Sequence, residues 1–354
     1  MIEQAKKRNI RDLSLVEMQA FFTENGEKAF RAKQLYEWLW QKSARNFEQM
    51  TNLSKSLREF LDRHFDLPAV TLAEEQISSD RTIKNAFQLA DGKITEGVLI
   101  PATDRMTACI SSQIGCSLSC KFCATGKLKL MRNIRFDEIY DQVAIIKEQA
   151  EKHYNQPLSN IVYMGMGEPL LNYSQMIKSI DRITAEDGLG MSPKRITVST
   201  AGIAKMIRRL GDDEVKFNLA LSLHAANDEK RSKIMPNNEQ NNLEVLAEAL
   251  KHYFQKTKNR VTYEYIIFRD LNDEIEDARE LAEFCKHIPC KINIIEYNPI
   301  DEGEFQQADP KKVDAFAAYL ESKGLVVNIR RSRGKDIDAP CGQLANKNGA
   351  IKKD

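Results

Sequence analysis

From residue 106 to 330 the sequence alternates apolar strand-like runs with amphipathic helical stretches. Strand candidates are 106–113, 159–165, 194–200, 216–223, 261–268, 291–297 and 325–330; helical stretches include 137–152, 243–257, 276–287 and 310–322. Apolar strands alternating with helices imply a parallel sheet covered by helices, an α/β fold. So many repeats suit a partial or full (β/α) barrel better than a short open sheet. At 354 residues the chain is long enough for such a core with appendages.

Unusual polar or glycine-rich sequence repeatedly follows the C-terminal end of a strand candidate. A cysteine loop follows the first, and Met164-Gly165-Met166-Gly167-Glu168-Pro169 the second. Ser199-Thr200-Ala201-Gly202 ends the third, Ser222-Leu223-His224 the fourth, and Asn298-Pro299 follows the sixth. Beyond the last lie Arg330-Arg331-Ser332-Arg333-Gly334-Lys335 and then Cys341. In a barrel these ends meet at one face, where active sites are built. Gly165 and Gly167 allow close backbone approach to a ligand, and Glu168 can accept hydrogen bonds from an ammonium group. Ser199, Ser222, His224 and Asn298 offer partners for a carboxylate, ribose or adenine. Taken singly, the glycine turn and the histidine read equally as structural features.

The run Gly115-Cys116-Ser117-Leu118-Ser119-Cys120-Lys121-Phe122-Cys123 places three thiols within eight residues. Such a compact soft-ligand set suits an iron–sulfur cluster, with one iron of a four-iron cube left open for a small molecule. Structural zinc is the rival, but it commonly takes four protein ligands, and no second pair at zinc spacing follows. Cys285 and Cys290 read as core cysteines. Cys341, between Pro340 and Gly342 and downstream of basic residues, reads as an accessible nucleophile. Cys109, on the first strand, reads alone as a small core residue. Two thiols near one centre suggest covalent chemistry with a redox resolution step.

The flanks are different in kind. Residues 1–75 read as a helical accessory module, with Leu35, Tyr36, Trp38, Leu39 and Trp40 at helical spacing; a packing cap and an RNA contact both fit. Asp91-Gly92 separates two alternating runs, so a β-hairpin linker is expected within 76–105. Its returning strand puts Glu96 in an apolar row with Ile94, Val98 and Ile100. That suits either a proton acceptor raised in pKa by desolvation or an edge-strand Glu reaching water. The barrel core is expected over 106–335 and a tail over 336–354 carries Cys341. Net charge is only +1, but Lys121, Lys127, Lys129, Arg132 and Arg135, and then Arg330, Arg331, Arg333 and Lys335, form two basic runs. Each alone reads as a solvated face; together they point to a polyanionic substrate. Met1-Ile2-Glu3-Gln4-Ala5-Lys6-Lys7-Arg8 leads into no apolar segment and no stretch approaches membrane-span length, so a cytoplasmic protein is expected. Seven cysteines, an odd number, fit that reducing compartment.

The cysteine spacing, with Phe122 before the last thiol, resembles the radical S-adenosylmethionine (SAM) enzymes. Glu96 before Val98-Leu99-Ile100-Pro101, Ser111-Ser112-Gln113-Ile114-Gly115-Cys116, Met164 to Asn172, and Asp338-Ala339-Pro340-Cys341-Gly342-Gln343-Leu344 resemble the bacterial adenine-C2 RNA methyltransferases. The resemblance implies a radical SAM barrel, a 4Fe–4S cluster on Cys116, Cys120 and Cys123, and SAM contacts at Gly167, Glu168, Ser199, Ser222, Leu223, His224 and Asn298. It implies that Cys341 takes a methyl from one SAM and that a second SAM yields the deoxyadenosyl radical that activates it. The activated carbon then adds to adenine C2, Glu96 accepts the C2 proton, and Cys109 releases the product through a disulfide with Cys341. The implied substrates are 23S ribosomal RNA and transfer RNA, with a flavodoxin-type electron donor and a monomeric enzyme. The related C8-adenine methyltransferases of the antibiotic-resistance branch share these cysteines, and a noncatalytic iron–sulfur RNA-binding protein is a further alternative.

Overall fold

The computed structural model describes residues 7–346; residues 1–6 and 347–354, the outer ends of the expected first and last segments, lie outside the described residues. The chain opens with three helices, α1 (Leu15–Glu24), α2 (Phe30–Trp40) and α3 (Lys55–His64). Ser14 caps α1 with a reciprocal Glu17 contact, and Ser54 caps α3, which fixes both starts. The apolar face of α2 is turned inward. Trp40 stacks on Phe136 and meets Tyr140 edge-on, with ring centroids 5.8 and 5.1 Å away. Both partners belong to α5 (Phe136–Tyr154), which follows the one-turn α4 (Ala124–Lys127). Arg11 and Asp141 add a fully buried ion pair at 2.9 Å across the same contact. Tyr36, Leu35, Leu39 and Trp40 are therefore packing residues.

One ten-stranded sheet dominates the rest. It begins with β1 (Thr71–Ile77), β2 (Ile83–Gln88), β3 (Ile94–Ala102) and β4 (Arg105–Cys109), all paired antiparallel. The hairpin expected at Asp91-Gly92 is present as β2–β3, with Gly92 at φ +78°. It is not a linker, because β1 to β3 extend the main sheet.

From β4 onward the strands are parallel: β5 (Asn160–Tyr163), β6 (Ile196–Thr200), β7 (Asn218–Ser222), β8 (Val261–Ile267), β9 (Cys290–Glu296) and β10 (Val327–Arg330). Strand order follows the sequence without exception, from β1 at one edge to β10 at the other. Helices α5, α6 (Tyr173–Thr184), α7 (Ala204–Asp212), α9 (Leu243–Thr257), α10 (Ile275–Phe284) and α11 (Pro310–Ser322) fill the crossovers, with a short α8 (Asp228–Ile234) before α9. Every residue of β8 is buried, as a central strand covered on both faces requires. Tyr263 packs on Phe284 and Tyr265 on Phe316, joining β8 to α10 and α11.

The barrel is partial, since β1 and β10 remain separate edges. The C-terminal tail crosses the opening. Leaving β10, it docks on the β1–β2 turn: Gly334 N–H donates to Asp80 at 2.9 Å, and Ser79 N–H donates to Asp336 at 2.9 Å. The segment bearing Cys341 is thus stretched across the mouth. The first strand ends at Cys109 rather than continuing to 113. Ser111 leaves the ladder to bond Gln142, and Gln113–Ile114 pair instead with Arg132–Asn133.

Candidate active site

The cysteine loop is shaped by backbone constraints. Gly115 has φ +74°, and a Cβ there would lie 2.1 Å from the Lys129 carbonyl oxygen, so no other residue fits. Lys121 N–H donates to Ile234 O at 3.0 Å, tying the loop to α8. Phe122 is buried edge-on to His224, centroids 4.8 Å apart. Cys116, Cys120 and Cys123 are free and partly buried. Burial pushes Cys116 up to about 11, and burial followed by the charges of Cys123 and Cys116 pushes Cys120 up as well. Thiols crowded so closely ionise together only beside compensating cations. Among the described residues no three His, Cys, Asp or Glu side chains form a metal-ion site. By donor chemistry, three soft thiols on one short loop suit an iron–sulfur cluster.

Around this loop stand the strand-end residues. Gly167 at φ +93° presses against Gln113, where a Cβ would come within 2.4 Å. Glu168 is buried and raised to about 7 by desolvation; its oxygens accept from Leu170 N–H at 3.0 Å and Ala201 N–H at 2.7 Å. The Thr200 side chain is a third hydrogen-bond partner of this carboxylate. Ser199 and Ser222, on neighbouring strands, have hydroxyls 3.4 Å apart. His224, at φ +56°, accepts Ile266 N–H at Nδ1 (3.1 Å), so its proton sits on Nε2. Burial, then the Arg231 charge, pushes His224 down to about 3, keeping it a neutral donor. The Leu223 side chain lies in the core, its N–H donates to Glu264 O at 3.0 Å and its carbonyl accepts from Arg231 Nε at 3.1 Å.

The tail completes the site. Ala124 N–H donates to Gly342 O at 2.7 Å, Thr125 Oγ1 to Leu344 O at 2.6 Å, and Asn298 Nδ2 to Cys341 O at 3.4 Å. Cys109 is buried beside Val98, Met166, Ala339 and Leu344. Burial raises its thiol, the nearby Cys341 raises it further, and Arg330 acts in the opposite direction. Glu96 is fully buried, not an edge residue reaching water. Its carboxylate faces Lys84 Nζ at 3.3 Å and accepts Ala345 and Asn346 N–H at Oε2.

Sequence reasoning missed two charged residues here. Lys84 lies in an unremarkable strand, and Arg231 in a stretch of alternating charge that reads as a solvated helix. Arg231 is instead wholly buried and ties three loops, donating to Leu223 O, Ala201 O (2.8 Å) and Asn238 Oδ1 (2.7 Å). Several residues of the two basic runs are ion-paired within the protein. Arg132 pairs with Asp91 and Glu138, Arg135 with Asp12 and Asp137, Arg330 with Glu264, and Arg331 and Lys335 with Glu296. Lys121, Lys129 and Arg333 stand exposed outside these pairs. Cys285 is buried and Cys290 packs against the same core.

A partial barrel with three cysteines after its first parallel strand is the architecture of a radical SAM enzyme, and the radical SAM superfamily profile matches residues 110–282. The profile of the ribosomal RNA large subunit methyltransferase N-terminal domain matches residues 8–67. A probable dual-specificity RNA methyltransferase RlmN from Cytophaga hutchinsonii is 61% identical, covering 97% of this chain and 94% of that relative. Its counterpart from Flavobacterium psychrophilum is 56% identical over 97% and 99%. A crystal structure of a radical SAM methyltransferase from Sphaerobacter thermophilus superposes with a TM-score of 0.90 at 36% identity, covering 95% and 99% of the two chains. The chain belongs to the RlmN family of radical SAM RNA methyltransferases.

Proposed function

We propose that this chain methylates C2 of adenine in 23S ribosomal RNA and in transfer RNA, with Cys341 as the covalent carrier of the methyl carbon. The observation that carries this reading is the placement of Cys341. Its loop is bonded to the start of α4, next to Cys123, through Gly342, to Asn298 through its own carbonyl, and lies near Cys109. A binding protein needs no such arrangement.

When bound, the 4Fe–4S cluster and SAM supply the methyl group and the one-electron chemistry. Cys116, Cys120 and Cys123 hold the cluster. Gly167, Glu168, Ser199, Ser222, Leu223, His224 and Asn298 line the SAM position, Glu168 accepting from its amino group and neutral His224 donating from Nε2. Cys341 becomes joined through the transferred carbon to adenine C2, and Glu96 accepts the C2 proton. Cys109 then attacks the Cys341 sulfur. The S–C bond breaks, its electron pair stays with carbon, which takes a proton to become the methyl group, and a disulfide forms.

The substrate base is displaced from its stack to reach this mouth. The three-helix module and the exposed Lys121, Lys129 and Arg333 are the surfaces assigned to RNA. A monomeric cytoplasmic enzyme served by a flavodoxin-type electron donor completes the reading; among the described residues no helix is long and apolar enough to cross a membrane.

The test is nucleoside analysis of 23S rRNA and tRNA incubated with reconstituted protein, SAM and reductant. 2-Methyladenosine in both pools is the expected result. 8-Methyladenosine instead would assign the chain to the C8 branch, and neither product would favour a binding protein.

A further inference from the structure

Two buried charges stand on the antiparallel part of the sheet. Lys84 on β2 pairs across with Val98, and Glu96 on β3 pairs across with Ala86, so the two are diagonal neighbours. Both are almost wholly buried, and Lys84 Nζ lies 3.3 Å from Glu96 Oε1. A buried ion pair is a weak stabiliser, because desolvation offsets most of the attraction. Stability alone is therefore a poor reason for it to be here.

Each member of the pair holds one flank of the Cys341 segment. Lys84 Nζ donates to the Ile337 carbonyl at 3.2 Å, and Glu96 Oε2 accepts from Ala345 and Asn346 amides at 2.8 and 2.9 Å. Residues 337 and 345 lie four positions before and after Cys341. The two carboxylate oxygens are thereby differentiated. Oε2 is committed to the tail, whereas Oε1 has no hydrogen-bond partner among the described residues and meets only the Lys84 charge.

We propose that Lys84 is a positioning residue for proton removal. Its ammonium stands 3.3 Å from Oε1, the oxygen that the tail amides leave open, and orients the carboxylate while those amides hold Oε2. It also pins Ile337, so that Cys341 and the base are presented from one anchor. The inference rests on Glu96 being the proton acceptor. Lys84 acts as a hydrogen-bond donor and positioning group and takes no part in the proton transfer itself. The C2 proton goes to Oε1, the electron pair of the C–H bond stays with the adenine, and Glu96 becomes a neutral acid beside the cation.

The experiment compares full-length reconstituted chains carrying Lys84→Met, Lys84→Arg, Glu96→Gln and the Lys84→Met/Glu96→Gln pair. Three quantities are read: turnover, S-methylation of Cys341 by peptide mass spectrometry, and the fraction of chain covalently joined to RNA on denaturing gels. Lys84→Met is expected to keep the cluster absorbance and the Cys341 methylation, yet to lose about tenfold or more in turnover while the adduct accumulates. Lys84→Arg should restore part of the turnover and lower the adduct. The double variant should match Glu96→Gln, because both changes disable one step.

Native turnover without adduct in Lys84→Met would overturn the proposal, as would a double variant slower than Glu96→Gln by the full Lys84→Met factor. Should Lys84→Met fail to fold, Lys84→Arg and the charge-free double variant carry the same comparison. Adduct in Glu96→Gln but not in Lys84→Met removes only the role of Lys84. Native turnover in Glu96→Gln removes the base assignment, and this inference with it.

Discussion

The amide of Ala124 donates to the carbonyl of Gly342 at 2.7 Å, joining the residue after Cys123 directly to the residue after Cys341. A cluster-binding loop and a C-terminal tail more than two hundred positions apart thus form one unit. This contact seats the Cys341 segment beside the cysteine loop, as the role proposed for Cys341 requires.

Cys341→Ala removes the carrier atom but none of the hydrogen bonds that seat the tail, which use backbone groups at 341, 342 and 344. Methylation should be abolished while the visible absorbance of the anaerobically reconstituted cluster is retained. Measurable methyl transfer by this variant would remove Cys341 from the mechanism.

Glu168 predicts a pH dependence of SAM binding. Burial raises its carboxyl from 4.5 to about 7, so it gains a proton, and loses its charge, as pH falls through 7. SAM affinity measured by calorimetry on the cluster-loaded protein should weaken between pH 8 and pH 6. In Glu168→Gln affinity should be lower throughout and should lack that slope. An equal slope in both proteins would assign the titration to another group.

His224 behaves oppositely. Held down to about 3, it stays neutral across pH 5 to 8 and contributes no inflection there. His224→Asn, which keeps a donor, should retain more SAM affinity than His224→Ala.

How far these residues could be read from sequence depends on what signals them. The parallel strands follow from their apolar runs, and the β2–β3 hairpin from Asp91-Gly92, because pattern and turn chemistry act locally. The three thiols of the cysteine loop stand out by their spacing alone. Arg231 and Lys84 were not, since each lies in sequence that reads as solvent-facing or ordinary and its burial depends on distant carbonyls or a distant acid. Which members of the basic runs are paired was hidden for the same reason: their partners Glu264, Glu296, Asp12 and Asp91 come from other elements.

Arg231→Met leaves the carbonyls of Ala201 and Leu223 and the Asn238 side chain without their shared donor. The loss should be on the order of 3 kcal/mol, visible as a lower midpoint in urea unfolding, with Arg231→Lys only partly restoring it. An unchanged midpoint would show that water replaces the guanidinium at no cost.

Arg11→Met strands Asp141 as a buried charge beneath the N-terminal helices. A loss of about 3–5 kcal/mol is expected, and proteolysis should cut the three-helix module first. Unaltered protection of that module would mean that the Trp40 stacking on Phe136 suffices to hold it.

The central claim is that Cys341 becomes covalently joined to RNA and that Cys109 frees it. It is tested most directly by running the reaction with Cys109→Ala, digesting RNA and protein, and sequencing the peptide that contains residue 341 by mass spectrometry. The account predicts that peptide carrying an adenosine attached through one carbon to the Cys341 sulfur. Free 2-methyladenosine at the native rate, with an unmodified Cys341 peptide, would contradict it.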